Sequence, residues 1–221
     1  MSLSRDVLAA EGFDAFIQQM LPPGYMQFLT PEEREESLQA ALASAPDGDI
    51  WLFGYGSLMW NPAIRHLGHQ VGMVRGWHRQ FCLWTPIGRG TPERPGLVLG
   101  LESGGSCRGL SFRIERTEAE EELRLVWRRE MLSGAYRPRW VTVETADGPH
   151  RALTFVINRD NPRYTGRLPE SETVAVLGCA AGHLGSSRDY LLQALQALES
   201  FGIEDRRMRR LAAMVALIPE A

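Results

Sequence analysis

The sequence predicts an α+β domain with a mixed or barrel-like sheet, preceded by an N-terminal helical extension. The first 45 residues have helical spacing, whereas 50–158 consists mostly of strand-like segments separated by glycine turns. Strands outnumber helices there and do not alternate with them, which argues against a doubly wound parallel sheet. A chain of 221 residues, 44% apolar and 23% charged, suits one sizeable domain with a short extra segment.

The N-terminal extension is expected to be helical. Residues 6–19 have helical spacing, and Pro22-Pro23-Gly24 ends that segment. Thr30 is a good N-cap, followed by Pro at the first helical position and by Glu33 three residues after the cap, which predicts a helix over 31–43. A polar linker follows, so we place the extension at 1–48 and the main domain at 49–221.

The central part of the chain carries the strand signals. A Gly104-Gly105 turn is expected to separate the third strand from the fourth, and Ala146-Asp147-Gly148 is a good hairpin turn between the last two. The predicted strands span 50–53, 70–85, 95–102, 107–115, 139–144 and 151–158.

Further helices interrupt and close this sheet. Thr117 and Glu120 match a capping box, which predicts a helix over about 118–132. More helix is expected after Ser186-Ser187, continuing to about residue 217 with a break at Gly202.

A carboxylate on the apolar face of the 118–132 helix is the first functional candidate. At 100° per residue, Leu123, Val126, Trp127 and Met131 share one sector, and Glu130 falls in its middle. The pKa of a carboxyl group turned toward a core tends to rise toward the range useful for general acid/base catalysis. The alternative is a structural glutamate held by an arginine, and four lie nearby in sequence: Arg128, Arg129, Arg137 and Arg139.

The second candidate is the turn Phe53-Gly54-Tyr55-Gly56-Ser57-Leu58. Two alternating glycines after a strand permit a tight backbone, whose successive N–H groups can hold an anion. No Gly-Lys-Ser/Thr follows, and Met59 stands where a dinucleotide fingerprint needs its third glycine. A small carboxylate remains the best candidate ligand, and the alternative is an ordinary strand-ending turn.

Charge and composition argue against several other functions. The net charge is −3, so no overall positive field attracts nucleic acid or anionic lipid, and the arginine pairs at 206–207 and 209–210 are expected on a solvated helix face. His66 and His69 lack a third ligand at suitable spacing, so no metal is expected.

Cysteine usage and hydropathy bear on location. Cys82, Cys107 and Cys179 form no metal-type spacing, and an odd count without a signal sequence argues for a reducing compartment. Residues 1–5 lack the order of a secretory signal, and no run approaches the roughly 18 apolar residues of a membrane span. We therefore expect a soluble, cytoplasmic protein.

Taken together, the turn and the helical glutamate resemble the ChaC-like γ-glutamylcyclotransferases, most closely the bacterial branch. The matching stretches lie in order over roughly 49–200. They are Trp-Leu-Phe-Gly-Tyr-Gly-Ser-Leu-Met-Trp at 51–60, Arg-Gly-Trp-His-Arg-Gln-Phe-Cys at 75–82, Gly-Arg-Gly-Thr at 88–91, Trp-Arg-Arg-Glu-Met at 127–131, Gly-Ala-Tyr at 134–136, Asn-Pro-Arg-Tyr at 161–164 and Gly-His-Leu-Gly at 182–185.

The resemblance implies a small mixed β-barrel with peripheral helices and the splitting of glutathione into 5-oxoproline and cysteinylglycine. It further implies that Glu130 is the essential acid/base, that 53–58 holds the substrate, and that Tyr164 contacts it. No cofactor or metal is implied. Two alternatives remain open: a cyclotransferase for other γ-glutamyl amines or dipeptides, and a non-enzymatic binding or regulatory protein of the same fold.

Overall fold

A computed structural model describes residues 3–219 of the chain. Its elements follow the α+β order predicted, with helices at both ends and strands in the centre. The α-helices are α1 (Arg5–Ala9), α2 (Phe13–Gln19), α3 (Pro31–Ala43), α4 (Ala119–Glu130), α5 (Glu170–Cys179), α6 (Ser187–Ser200) and α7 (Arg206–Val215). The strands are β1 (Ile50–Gly54), β2 (Gly68–Thr85), β3 (Gly96–Ile114), β4 (Tyr136–Thr145), β5 (Gly148–Ile157), β6 (Ala181–Gly182) and β7 (Gly185–Ser186).

Five strands close into a barrel in the order β1-β3-β2-β4-β5. Neighbouring strands are antiparallel except at the closure, where β1 runs parallel to β5 with Leu52 opposite Leu153. The predicted mixed, barrel-like sheet is therefore confirmed. Buried side chains of the barrel and of α4, α5, α6 and α7 form one continuous apolar core. Helices α5 and α6 pack against β3, and α7 packs against α5 and α6.

The helical extension packs beside this core rather than extending away from it. A smaller apolar cluster joins Leu8, Phe13 and Ile17 to Leu125 of α4. The predicted capping box of α3 is present, since Thr30 Oγ1 accepts from the Glu33 amide and a Glu33 carboxylate oxygen accepts from the Thr30 amide. The boundary between 48 and 49 falls in the stretch joining α3 to β1, and as a domain boundary it stays a prediction.

Two local predictions about breaks in the chain were wrong. Residues 6–19 form two helices rather than one, because Gly12 adopts a left-handed conformation with φ of 86° between them. Gly104-Gly105 does not end a strand. Both glycines have positive φ inside the continuous strand β3, where the register against β2 shifts near Gly76, so they form an irregularity of the ladder.

The helix predictions need three corrections. The capping box at Thr117 is absent, because α4 begins one residue later than that box requires: Glu118 is the N-cap and makes no side-chain cap bond. The Glu118 amide donates to the Glu115 carbonyl in a turn that precedes the helix. The helix ends at Glu130 instead of 132. Helix α5 was not predicted, and its N-cap is Pro169, which offers no side-chain capping signal.

Candidate active site

A cavity of about 490 Å³ lies where the turn after β1 meets the end of α4 and the first turns of α6. This volume is typical of small-molecule sites. A narrow recess of about 20 Å³ adjoins it. Four residues line both spaces, namely Ser57, Glu130, Tyr136 and Tyr190. The recess continues the cavity toward Phe155 of β5, so a ligand here would meet residues from the barrel and from two helices.

Glu130 is the last residue of α4, and its side chain is only 14% exposed. The apolar sector predicted for this helix is confirmed, with Leu123, Val126 and Trp127 almost fully buried. Removal of the Glu130 carboxyl group from water raises its pKa, while the neighbouring Arg129 guanidinium acts in the opposite direction without cancelling that effect. The geometry therefore supplies a carboxyl group poised to exchange protons at the wall of a cavity.

Arg129 ties this glutamate to the turn. Its Nε lies 3.1 Å from a Glu130 carboxylate oxygen, and one terminal nitrogen donates to Ser57 Oγ at 2.7 Å. The other terminal nitrogen donates to the Asn61 carbonyl at 2.6 Å. Both the structural and the functional interpretations of Glu130 thus find support, because an arginine does hold it and it also faces the cavity.

Glycines allow the turn to fold tightly over the end of the barrel. A Cβ on Gly109 of β3 would lie 2.3 Å from the Gly54 carbonyl oxygen, so only glycine permits this strand pairing. A Cβ on Gly56 would lie 3.3 Å from the Tyr190 hydroxyl, so the missing side chain leaves space beside that group. The turn continues directly into a 3-10 helix over Ser57–Met59.

A buried arginine fixes the backbone of the turn. Arg79 of β2 is 8% exposed, and its Nε donates to the Tyr55 carbonyl at 2.5 Å. Its terminal nitrogens donate to the Arg108 carbonyl at 2.7 Å and to the carboxylate of Asp205, the N-cap of α7, at 2.8 Å. The turn is therefore anchored to β2, β3 and α7 at once.

Tyrosine hydroxyls complete the walls of the recess. Tyr55 donates to the Phe155 carbonyl and Tyr136 donates to the Leu99 carbonyl, both at 2.8 Å. Burial raises the pKa of both phenols and brings that of Tyr190 to about 12, so all three stay protonated at neutral pH. Tyr190 lies in the first turn of α6, which begins with a capping box between Ser186 and Asp189.

The N-terminal extension reaches this cavity as well. Leu3 lines it, and the Asn61 side-chain amide donates to the Leu3 carbonyl at 3.0 Å. Two residues further on, Arg5 donates to the carboxylate of Glu122, a fully buried residue of α4 that also accepts from Arg65. This ion-pair cluster holds the start of the extension against α4.

Two further classes of site find no support in the described residues. Across 3–219, no group of three or more His, Cys, Asp or Glu side chains is placed to hold a metal ion. No helix in that part of the chain is long and apolar enough to cross a membrane.

Comparison with known proteins places this chain in a family. The ChaC-like protein family matches residues 50–218. This chain belongs to the ChaC-like family. It is 39% identical over 186 residues to a glutathione-specific γ-glutamylcyclotransferase of Escherichia coli strain K12, covering 83% of this chain and 80% of that protein. It is 32% identical over 181 residues to a glutathione-specific γ-glutamylcyclotransferase 1 of Rattus norvegicus, covering 78% and 82%.

The fold has a counterpart among solved structures. A crystal structure of a γ-glutamyl cyclotransferase specific to glutathione from yeast superimposes with a TM-score of 0.70 at 21% identity. The match covers 77% of this chain and 96% of the yeast chain. At 21% identity the structural similarity supports the fold alone. This fold agrees with the small mixed β-barrel and peripheral helices that the ChaC-like resemblance implied.

Within this ChaC-like fold, the predicted site residues separate into two groups. Tyr55, Gly56, Ser57 and Leu58 line the recess together with Glu130, so tertiary structure brings the turn and the glutamate together. Phe53 is buried in the core, and Gly54 closes β1 without lining either space.

Tyr164 is not brought to this cavity. Its hydroxyl donates to the buried Glu102 carboxylate, and its backbone bridges to Leu83. Tyr136 and Tyr190 take the positions beside Glu130 instead. Sequence reasoning did not rank the tyrosines, because their positions depend on how β4 and α6 close over the turn. It also gave no role to Arg79, although this residue lies in the family-like stretch at 75–82.

Proposed function

We propose that this chain is a glutathione-specific γ-glutamylcyclotransferase that releases 5-oxoproline and cysteinylglycine, with Glu130 as general acid and base. The observation that carries the proposal is the meeting of Glu130 with the 55–58 turn around one recess. The family membership and the similarity to glutathione-specific enzymes support the same reaction.

The chemistry is an intramolecular transfer. The α-nitrogen of the γ-glutamyl group attacks its own γ-carbonyl carbon, the five-membered lactam closes, and the bond to the cysteinyl nitrogen breaks. The α-ammonium group gives up two protons, one to become the attacking amine and one as the lactam forms. The departing nitrogen takes up two and leaves as an ammonium group, so neither water nor electrons enter the reaction. Holding the amine near its carbonyl supplies much of the acceleration, since such intramolecular reactions have very high effective concentrations.

Proton transfer is the part left to the protein. A carboxyl group with a raised pKa is a stronger base than an ordinary glutamate and is still able to return a proton. Glu130 therefore suits both steps, taking a proton from the ammonium and delivering one to the leaving nitrogen.

Substrate binding is assigned to the turn. We propose that amides of the 55–58 segment hold the α-carboxylate of the γ-glutamyl group, which directs its amine toward Glu130. Support comes from the close approach at Gly56 and from the rigid anchoring of the turn by Arg79 and Arg129. Tyr164 stays a predicted substrate contact, although its hydroxyl is engaged by Glu102 outside the cavity.

The direct test is incubation of pure protein with glutathione at neutral pH, followed by chromatographic detection of 5-oxoproline and cysteinylglycine. Equimolar release of both products is expected. No 5-oxoproline at high enzyme concentration would refute the proposal. A competition series with γ-glutamylcysteine and γ-glutamyl amines distinguishes the broader substrate range from glutathione specificity.

A cytoplasmic location is also proposed. Cys82, Cys107 and Cys179 are all free thiols in the structure, as is typical of a reducing compartment where glutathione is abundant. Fractionation of cells that express the protein, with a soluble cytoplasmic marker as reference, tests this.

A further inference from the structure

A second cavity, which we call the α7 cavity, lies where α7 begins and carries positive charge that the proposed reaction does not use. Its volume is about 360 Å³, at the small end of the range for small-molecule sites. Its walls come from three parts of the chain: His78 and Arg79 of β2, Cys107 and Arg108 of β3, and residues 204–207 around the start of α7. None of its lining residues lines the active-site cavity or the recess, so the two sites are separate.

Three arginines that line the α7 cavity have no acidic partner. Across the described residues 3–219, no ion pair and no side-chain hydrogen bond involves the guanidinium groups of Arg108, Arg206 and Arg207. The next two arginines of the same helix differ, since Arg209 and Arg210 both pair with glutamates. The solvated helix face expected from the sequence therefore has its charges paired at the second arginine pair but not at the first.

The two carboxylates of the α7 cavity are already in use. One oxygen of Asp205 pairs with the buried Arg79 at 2.8 Å, and the other accepts from the Met208 amide at 3.0 Å as the N-cap of α7. Glu204 pairs with Arg209 at 2.9 Å. Since both acidic groups are engaged, each of the three unpaired arginines keeps an uncompensated positive charge.

The first turn of α7 is an unfavourable place for such charge. A helix dipole puts partial positive charge at the N-terminus, where anions are stabilising and cations are not. Arg206 and Arg207 are nevertheless the first two residues of α7. Their charges also repel each other and that of Arg108 across the cavity. An anion bound between them would relieve both effects.

We infer that the α7 cavity binds a small phosphorylated molecule through Arg108, Arg206 and Arg207. A phosphate group carries about two negative charges and three strong acceptor oxygens at pH 7, and the planar fork of arginine matches its geometry. A single carboxylate would balance only one of the three charges. The limited volume and the net charge of −3 argue against a long nucleic acid strand as the ligand.

The test is titration of the full chain with pyrophosphate, followed by calorimetry at fixed ionic strength in chloride. We expect saturable binding at one site per chain. Arg108→Gln, Arg206→Gln and Arg207→Gln should each weaken it by about 10-fold or more, the effect of losing one charge-assisted hydrogen bond. All three side chains are exposed and unpaired, so the variants should fold. Pyrophosphate should also raise the Tm of the wild type more than that of any of them.

The matched control is Arg210→Gln, which removes the same charge from the same helix outside the α7 cavity. Its affinity for pyrophosphate should stay within about twofold of the wild type, because only net charge has changed. Equal weakening in Arg210→Gln and in the cavity variants would overturn the inference. Unchanged affinity in all three cavity variants would overturn it as well, since the anion would then bind elsewhere.

Competition distinguishes the α7 cavity from the active site. Saturating glutathione should leave pyrophosphate binding unchanged, because the two cavities share no lining residue. Displacement by glutathione would place the anion in the active-site cavity and overturn the inference, as would no saturable binding at about 10 mM pyrophosphate. Binding of a single-stranded oligonucleotide but not of pyrophosphate would also overturn it, in favour of nucleic acid. Failure to form 5-oxoproline would leave the inference standing.

Discussion

Replacement of Glu130 by glutamine should separate catalysis from folding. The amide keeps the shape of the side chain but cannot act as a base at neutral pH. The bonds from Arg129 to Ser57 and Asn61 do not depend on the Glu130 carboxylate, so the turn should keep its place. We therefore expect glutathione still to bind while turnover nearly stops.

The expected loss of kcat in Glu130→Gln follows from the catalytic effects that the variant keeps. Proximity of the amine to the γ-carbonyl is a property of the recess and persists in the variant, so only acid/base assistance is removed. That assistance is typically about 10²- to 10⁴-fold, or roughly 3–5 kcal/mol of activation free energy. We expect kcat to fall by that factor and KM to change little.

The free energy of unfolding of Glu130→Gln at pH 7 should not fall as kcat does. The pKa of Glu130 is raised in the folded protein, so the folded state binds the proton more tightly than the unfolded chain does. The associated stabilisation is present below the unfolded pKa of about 4.5 and is lost as pH rises through the folded pKa. At pH 7 a permanently neutral glutamine avoids this loss, so the free energy of unfolding should equal or exceed that of the wild type.

The assays are 5-oxoproline release and urea unfolding at pH 7 and pH 4. A glutamine variant that retains more than about a tenth of wild-type kcat would refute the role of Glu130, since that is less than the weakest acid/base effect. A variant that is inactive because it unfolds would refute the separation of roles.

Glu122→Gln is the matched control on the same helix. Glu122 is fully buried, and although burial acts to raise its pKa, hydrogen bonds from Arg65 and Arg5 hold that pKa below its ordinary range. Its stabilisation is therefore present at neutral pH and is lost as pH falls through the folded pKa. We expect the variant to lose about 1–3 kcal/mol at pH 7 and to keep its kcat per folded molecule.

Three further outcomes are expected. The acid limb of the kcat/KM profile for glutathione should lie above pH 4.5, the ordinary value for a glutamate, because burial raises the pKa of Glu130; a limb at or below that pH would contradict its assignment as the base. Arg79→Met should cost about 3 kcal/mol in urea unfolding and should also lower kcat, since it leaves Asp205 and the Tyr55 carbonyl without their buried partner; unchanged kcat in the folded variant would show that the turn does not need this anchor. Leu3→Trp should raise KM for glutathione several-fold by filling the cavity, and an unaltered KM would show that the N-terminal extension does not shape the site.

Much of the site was within reach of sequence reasoning. The helical phase of Glu130 depends only on the 3.6-residue repeat, and the strand-turn character of 53–58 depends on local glycine chemistry. Both are local properties, so they can be read without knowing the partners. Errors of the same local kind arose at Gly104-Gly105 and Thr117, where a strand irregularity and a backbone turn replaced the expected turn and cap.

The sequence by itself determined the order of most helices and strands, apart from α5, β6 and β7. It also determined the apolar face that carries Glu130 and the glycine turn that can approach a ligand closely. Tertiary structure alone decided which tyrosines face Glu130, that Arg79 anchors the turn, and that Leu3 lines the cavity. The physical reason is the separation along the chain over which each kind of interaction acts. Periodicity and turn chemistry act over a few residues, whereas these contacts join positions far apart in the chain, such as Arg79 and Asp205, and exist only once the barrel has closed.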